Sequence, residues 1–284
     1  SGAWRSSAWP RRPNREARNA MYQFDYHRPT SLDEAAKILS QDEEASLLAG
    51  GQTLLPTMKQ RLAAPSQLVD LSGIAELKGV REEGGQVVVG AMTPHDHVAN
   101  DKTVQAKIPG LAHLAGAIGD PQVRNRGTIG GSLANNDPAS DYPGAVLGLG
   151  ATVRTNKREI PADDFFQGLF ETALDEGEMI TAVAFPVPKK SAYAKFHNPA
   201  SRYAIVGAFV AETDGGVRVA ITGAGPCVFR MPEMEQALSS NWSADAIKGI
   251  KVSADELNTD LHASAEYRAH LVTVMAKRAV QAAG

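Results

Sequence analysis

Two short glycine segments carry the residue types best suited to chemistry: Ala49-Gly50-Gly51-Gln52-Thr53 and Thr128-Ile129-Gly130-Gly131-Ser132. Glycine lets a backbone amide approach an anion closely and tolerates positive φ, so each segment could present amides to a phosphate. A tight turn with no ligand explains either segment taken singly, because the chain has 26 glycines; the pair is the stronger signal. Neither completes a dinucleotide fingerprint. Gly148-Leu149-Gly150 and Gly223-Ala224-Gly225 lack the third glycine at the required spacing, and there is no phosphate-loop lysine motif.

Asp137 and Asp141 follow the second segment and flank Pro138. They could hold a magnesium ion, act as acid and base, or accept hydrogen bonds from ligand hydroxyls, and their place just after a glycine turn favours the last. His95 and His97 stand two apart, but no HExxH helix or third ligand accompanies them, so both read as solvated or capping histidines. Cys227 is the only cysteine and reads as a packing residue. One thiol excludes an internal disulfide and any cluster or zinc site that needs four thiolates from this chain, and it fits a reducing, cytoplasmic setting.

The elements that must position these residues alternate between helix and strand, which indicates an α/β or α+β architecture. Ser31-Leu32-Asp33-Glu34 has capping-box form and opens a helix through about Ser40. A short strand at Ala45–Leu48 runs into the first glycine segment, followed by a helix over Leu54–Leu62 and a strand over Gln67–Leu71. Glu83-Gly84-Gly85-Gln86 reads as a hairpin turn, so an antiparallel sheet begins near Leu77. Leu111–Ile118 reads as an apolar helix, Asp120–Gly127 as a polar loop, and Ala151–Thr155 and Met179–Phe185 as strands. After the break at Pro186-Val187-Pro188 a third unit starts near Ser191, with a hairpin (Ala204–Glu212 and Val217–Gly223) and helices near Met231–Ser239, Ala244–Ile250 and Ala265–Ala283.

The 284 residues are 43% hydrophobic and 21% charged with a net charge of -3, the balance of an ordinary globular protein. No run approaches the roughly 18 apolar residues of a membrane span, and mild acidity argues against nucleic acid as a partner. Residues 1–20 differ from the rest: Arg5, Arg11, Arg12, Arg15 and Arg18 face a single acid, Glu16, without periodic pattern, and Met21 follows. They read as a non-native or upstream leader. The Arg11-Arg12 pair has no apolar stretch behind it, so it does not read as an export signal.

With their neighbours, the two glycine segments resemble those of the FAD-binding (medium) subunits of the molybdenum hydroxylases, the group of carbon monoxide dehydrogenases and the flavin domain of xanthine dehydrogenase. The matching runs are Ala49-Gly50-Gly51-Gln52-Thr53-Leu54-Leu55-Pro56, and Arg124-Asn125-Arg126-Gly127-Thr128-Ile129-Gly130-Gly131-Ser132-Leu133-Ala134 through Asp137-Pro138 to Asp141, supported by Tyr193-Ala194-Lys195-Phe196 and Ser201-Arg202-Tyr203-Ala204. The resemblance runs from about Met21 to Ala283. It implies an α+β fold of two FAD-binding subdomains of PCMH type (21–76 and 77–190) and a C-terminal domain (191–284) of antiparallel strands with a small helix bundle.

The resemblance implies that Ala49–Thr53 and Thr128–Ser132 hold the FAD pyrophosphate through backbone amides. By the same carry-over Asp141 would bond ribityl hydroxyls, Ile180 would lie along the ring system, Lys195 would face the flavin polar edge and Tyr203 would cover one flavin face. Gln52 stands where some members have histidine, and the four-cysteine loop of the benzoyl-CoA reductase branch is missing. The implied role is electron transfer within a complex that includes a small 2Fe–2S subunit and a large molybdopterin subunit, assembled as a dimer of heterotrimers. Two other readings stay open: a self-contained flavin oxidoreductase with its own substrate domain after Ser191, and a non-redox nucleotide-binding assembly protein.

Overall fold

The computed structural model describes residues 21–284, so the reading of residues 1–20 as a leader falls outside the described residues. The first layer is a parallel three-stranded sheet. β1 (Asp25–His27) leads into α1 (Leu32–Gln41), where the Ser31 hydroxyl accepts from the Glu34 amide at 3.2 Å and the Glu34 carboxylate accepts from the Thr30 amide at 2.9 Å. Those bonds satisfy amides that the first helical turn cannot. β2 (Ser46–Leu48), α2 (Leu54–Lys59) and β3 (Gln67–Asp70) complete the layer in the order β1-β3-β2, with Ala35, Val69, Leu71 and Ile74 in its core. α2 is shorter than the sequence pattern implies, because Arg61 takes φ +60° and ends it.

β4 (Val80–Glu83) and β5 (Gln86–Gly90) form the expected hairpin and open a second sheet, antiparallel throughout. Six helices follow: α3 (His95–Asn100), α4 (Lys102–Lys107), α5 (Pro109–Gly116), α6 (Pro121–Arg124), α7 (Ile129–Asn135) and α8 (Tyr142–Leu149). The segment expected to be a polar loop contains α6, because the Asp120 carboxylate caps it by accepting from the Val123 amide and Pro121 occupies its first turn. β6 (Thr152–Thr155), β7 (Glu159–Pro161), α9 (Ala162–Phe165), the small hairpin β8 (Phe166–Gly168) and β9 (Glu171–Thr172), and β10 (Ile180–Pro186) complete the region. The sheet order is β4-β5-β10-β6-β7. Val87, Val88 and Val89 are all fully buried, as a strand covered on both faces requires.

The last sheet runs β11 (Lys190–His197), β12 (Ala204–Thr213), β13 (Gly216–Thr222) and β14 (Phe229–Arg230), with α10 (Pro232–Ser240), α11 (Ala244–Ile247) and α12 (Ala265–Ala283) beside it. β12 is the hinge of the packing. Val206, Ala208 and Val210 join the core that α12 covers, while Phe209 and Ala211 join the large core that contains α8. The period-2 alternation of one strand thus ties the C-terminal layer to the region that carries the second glycine segment.

Candidate functional site

The first glycine segment leaves the end of β2 and enters α2, with Gly51 at φ +71°. Among the described residues, the amides of Gly50, Gly51, Gln52 and Thr53 donate to no protein acceptor. The second segment is the opening of α7 rather than a turn: Thr128 is its N-cap, and neither Gly130 nor Gly131 has positive φ. Pairing of Pro94 with Thr128 and a 3.0 Å bond from the His95 amide to the Gly127 carbonyl hold that chain entry beside α3.

The two segments touch each other. A β-carbon at Gly50 would lie 2.2 Å from the Arg126 carbonyl oxygen, and one at Gly131 would lie 3.4 Å from the Ala49 β-carbon. Together they wall a cleft of about 560 Å³ that also takes residues from β10 and from the turn between β11 and β12. Of the expected residues, Ala49, Gly50, Gly51, Thr53, Thr128, Gly130, Gly131, Ser132, Asp141, Ile180 and Tyr203 line it. A register shift between Ile180 and Ala182 marks where β10 meets the cleft.

Gln52, Ile129 and Lys195 do not line the cleft. The Gln52 side chain is exposed and its amide turns back to the Gly50 carbonyl at 3.4 Å. Ile129 is fully buried in the main core, where a branched apolar side chain gains most. The Lys195 ammonium has three hydrogens and three acceptors: the Ala117 carbonyl at 2.8 Å, the Arg202 carbonyl at 3.0 Å and the Asp141 carboxylate at 3.0 Å. Its donors are committed to these three acceptors, and two of them, Asp141 and Arg202, belong to residues that line the cleft.

The second segment also departs from the amide cradle expected of it. The Ile129 amide donates to the Thr93 carbonyl, Gly130 to Ala91, Gly131 to the Thr128 hydroxyl and Ser132 to the Thr128 carbonyl. Glycine at 130 answers to packing, since a β-carbon there would come 2.7 Å from that of Ala91. This wall therefore contributes hydroxyls and a side-chain-free surface, and the free amides belong to the first segment. Ser132 Oγ lies 2.7 Å from Ser140 Oγ at the same wall.

Asp141 is 5% exposed, and the Tyr193 hydroxyl donates to it at 2.5 Å beside Lys195. Burial pushes its carboxyl above the ordinary carboxylate value, opposed by the Lys195 charge and the bonds from Tyr193 and Lys195. The carboxylate is therefore shared between the cleft wall and an internal ion pair. Asp137 also lines the cleft, and one of its carboxylate oxygens accepts from the Ala139 amide at 2.9 Å.

His95 is the residue the sequence misplaces. It is 5% exposed, not solvated, and forms part of the cleft wall with its ring 5.2 Å from that of Tyr142. Burial, with the Arg124 charge second, lowers its pKa to about 4, so it is neutral at pH 7. His97 points elsewhere, with an exposed side chain 3.8 Å from Asp101. Nothing local distinguishes the two; the separation comes from which face of α3 meets α5 and α6. Met92, Ile118, Met179 and Arg202 line the cleft as well and carry no sequence signal of their own. Cys227 packs against the main core and lies 3.7 Å from the Asn136 side-chain nitrogen, as a small apolar side chain would.

Residues 22–188 match the family described as FAD binding domain in molybdopterin dehydrogenase, and residues 191–283 match the CO dehydrogenase flavoprotein C-terminal domain. The region where a self-contained oxidoreductase would build its substrate site thus matches a flavoprotein domain of the same group. The carbon monoxide dehydrogenase medium chain of Hydrogenophaga pseudoflava is 36% identical over 92% of this chain and 96% of its own. The nicotine 6-hydroxylase medium subunit of Paenarthrobacter nicotinovorans is 35% identical over 91% and 96%. A solved carbon monoxide dehydrogenase from Hydrogenophaga pseudoflava superposes with a TM-score of 0.85 at 37% identity, covering 93% of this chain and 98% of that one.

Proposed function

The chain belongs to the FAD-binding medium-subunit family of the molybdenum hydroxylases, and from that premise we propose that it holds one FAD in the 560 Å³ cleft and relays electrons between an iron–sulfur partner and a terminal acceptor. The observation that carries the reading is the meeting of the two glycine segments. It lines up the undonated amides of Gly50–Thr53 with the hydroxyl wall of Thr128 and Ser132. This donor set fits a pyrophosphate, which offers only acceptors and tolerates no intervening side chain.

When bound, FAD supplies a two-electron store that exchanges electrons singly or in pairs. The residues of the chain fix its place and surroundings. The first segment binds the pyrophosphate by its amides, the Asp141 carboxylate accepts from ribityl hydroxyls, and the apolar side chain of Ile180 excludes water. Tyr203, half-exposed at the mouth, shields one face of the ring. Lys195 acts through Asp141, holding its charge in place.

Residues 21–76 and 77–190 form the two halves of the binding region, and residues 191–284 the domain that carries Lys195 and Tyr203. A single cysteine leaves this chain unable to ligate an iron–sulfur cluster of its own. The electrons therefore come from a small 2Fe–2S subunit fed by a large molybdopterin subunit, in a dimer of heterotrimers in the cytoplasm. Among the described residues no helix is long and apolar enough to cross a membrane. The relatives act on substrates as different as carbon monoxide and nicotine, so the substrate choice resides in the large subunit.

The test is purification of the chain, its visible spectrum, acid precipitation and identification of the released chromophore. FAD in the supernatant near one per chain is the expected result. A colourless chain that also fails to take up added FAD removes the proposal.

A further inference from the structure

A second cavity of about 450 Å³ lies behind the cleft wall, lined by His113, Ala117, Tyr193, Lys195, His197, Pro199 and Arg202. The lining follows from the two regular periods. Tyr193, Lys195 and His197 alternate along one face of β11, and His113 and Ala117 are four apart at the end of α5, which packs on that strand. Arg202 returns over the mouth from the β11–β12 turn at φ +63°, a backbone state that Asn198 fixes by accepting from the Arg202 amide.

The chemistry of this lining is one-sided. No carboxylate lines the cavity. Lys195 is already neutralised by Asp141 and saturated by carbonyls. His113, His197 and Arg202 have no side-chain partner among the described residues, and all three are exposed at the mouth. Arg202 presents a permanent charge with a planar fork of N–H donors, and a histidine donates at least one N–H in either protonation state. We propose that this cavity is an oxyanion site, taking a phosphate group between the Arg202 guanidinium and the imidazoles of His113 and His197. Arg202 also lines the cleft, so occupancy of this site changes the surroundings of Tyr203 next to it. That coupling alone rests on the proposed FAD site; the oxyanion site does not.

The experiment is a titration of the purified chain, as isolated and after removal of any flavin, with inorganic phosphate at constant ionic strength against a chloride control. The readout is the C2–H proton resonances of His113 and His197, assigned by His113→Asn and His197→Asn. Saturable shifts of both resonances with phosphate and not chloride are expected, in the flavin-loaded and flavin-free chain alike. Arg202→Gln should weaken phosphate binding by about tenfold or more. Shifts that chloride reproduces, or that Arg202→Gln leaves unchanged, overturn the site. Phosphate binding that occurs only without flavin and is displaced by added FAD would place the anion in the cleft instead, and overturns it too. Failure of the chain to hold FAD leaves the phosphate result readable by itself.

Discussion

Gly50 packs so closely on Arg126 that a β-carbon at position 50 would stand 2.2 Å from the Arg126 carbonyl oxygen and 2.7 Å from the Gly127 α-carbon. Both obstacles are backbone, which cannot rotate away. Gly131, by contrast, has helical φ, and its tightest neighbour would be the Thr128 hydroxyl at 3.1 Å. Gly50→Ala should therefore separate the two segments and cost about 1–3 kcal/mol of stability. Gly131→Val should keep the far-ultraviolet circular dichroism of the parent and lose FAD, because its branches fill the cleft wall. Thermal denaturation and flavin content after gel filtration check both; a fully loaded Gly131→Val chain would sink the wall assignment.

Lys195 and Asp141 are a buried pair, with side chains 6% and 5% exposed. Removing one partner leaves the other charge in a low-dielectric setting. Lys195→Met should cost about 3–5 kcal/mol, and Asp141→Asn added to it should recover part of that loss by deleting the stranded carboxylate. Urea denaturation of the two variants measures the difference. A double variant less stable than the single one would contradict the pairing.

His95 has a folded pKa of about 4 against an ordinary 6.5. The unfolded chain therefore binds the proton first as pH falls. The stability this group contributes is complete above pH 6.5, is lost as pH falls from there to about 4, and changes little below. The loss attributable to it is about 3 kcal/mol. Stability measured against pH for the parent and His95→Gln should diverge by that amount across this window, and parallel curves would refute it.

Tyr203 is 48% exposed and lines the cleft mouth. Truncating a half-exposed side chain at a turn should change stability by less than about 0.5 kcal/mol. If Tyr203 covers one face of the flavin as proposed, Tyr203→Ala should nevertheless shift the flavin absorption bands and alter reoxidation by oxygen. An unchanged spectrum together with an unchanged reoxidation rate would assign Tyr203 to the strand end alone.

What the sequence determined is what local chemistry determines. Ser31 with Glu34 capped α1, Gly84-Gly85 made the β4–β5 hairpin, and the continuous apolar run from Ala204 to Ala211 made a strand buried on two faces. The two glycine segments were legible because positive φ at Gly51 and close approach at Gly50 and Gly130 exclude a β-carbon, which leaves a mark in the residue type itself. Tertiary structure decided the rest, through contacts between residues far apart in the chain. It turned the second segment into the start of α7 by tying its amides to Ala91 and Thr93, and it buried His95 while leaving His97 in solvent. It also tied Lys195 to Asp141, 54 positions earlier, since a buried carboxylate needs a cation and three carbonyl and carboxylate acceptors converge there. No local pattern encodes such convergence, because a side chain's partners are set by which elements pack together and not by its neighbours in sequence.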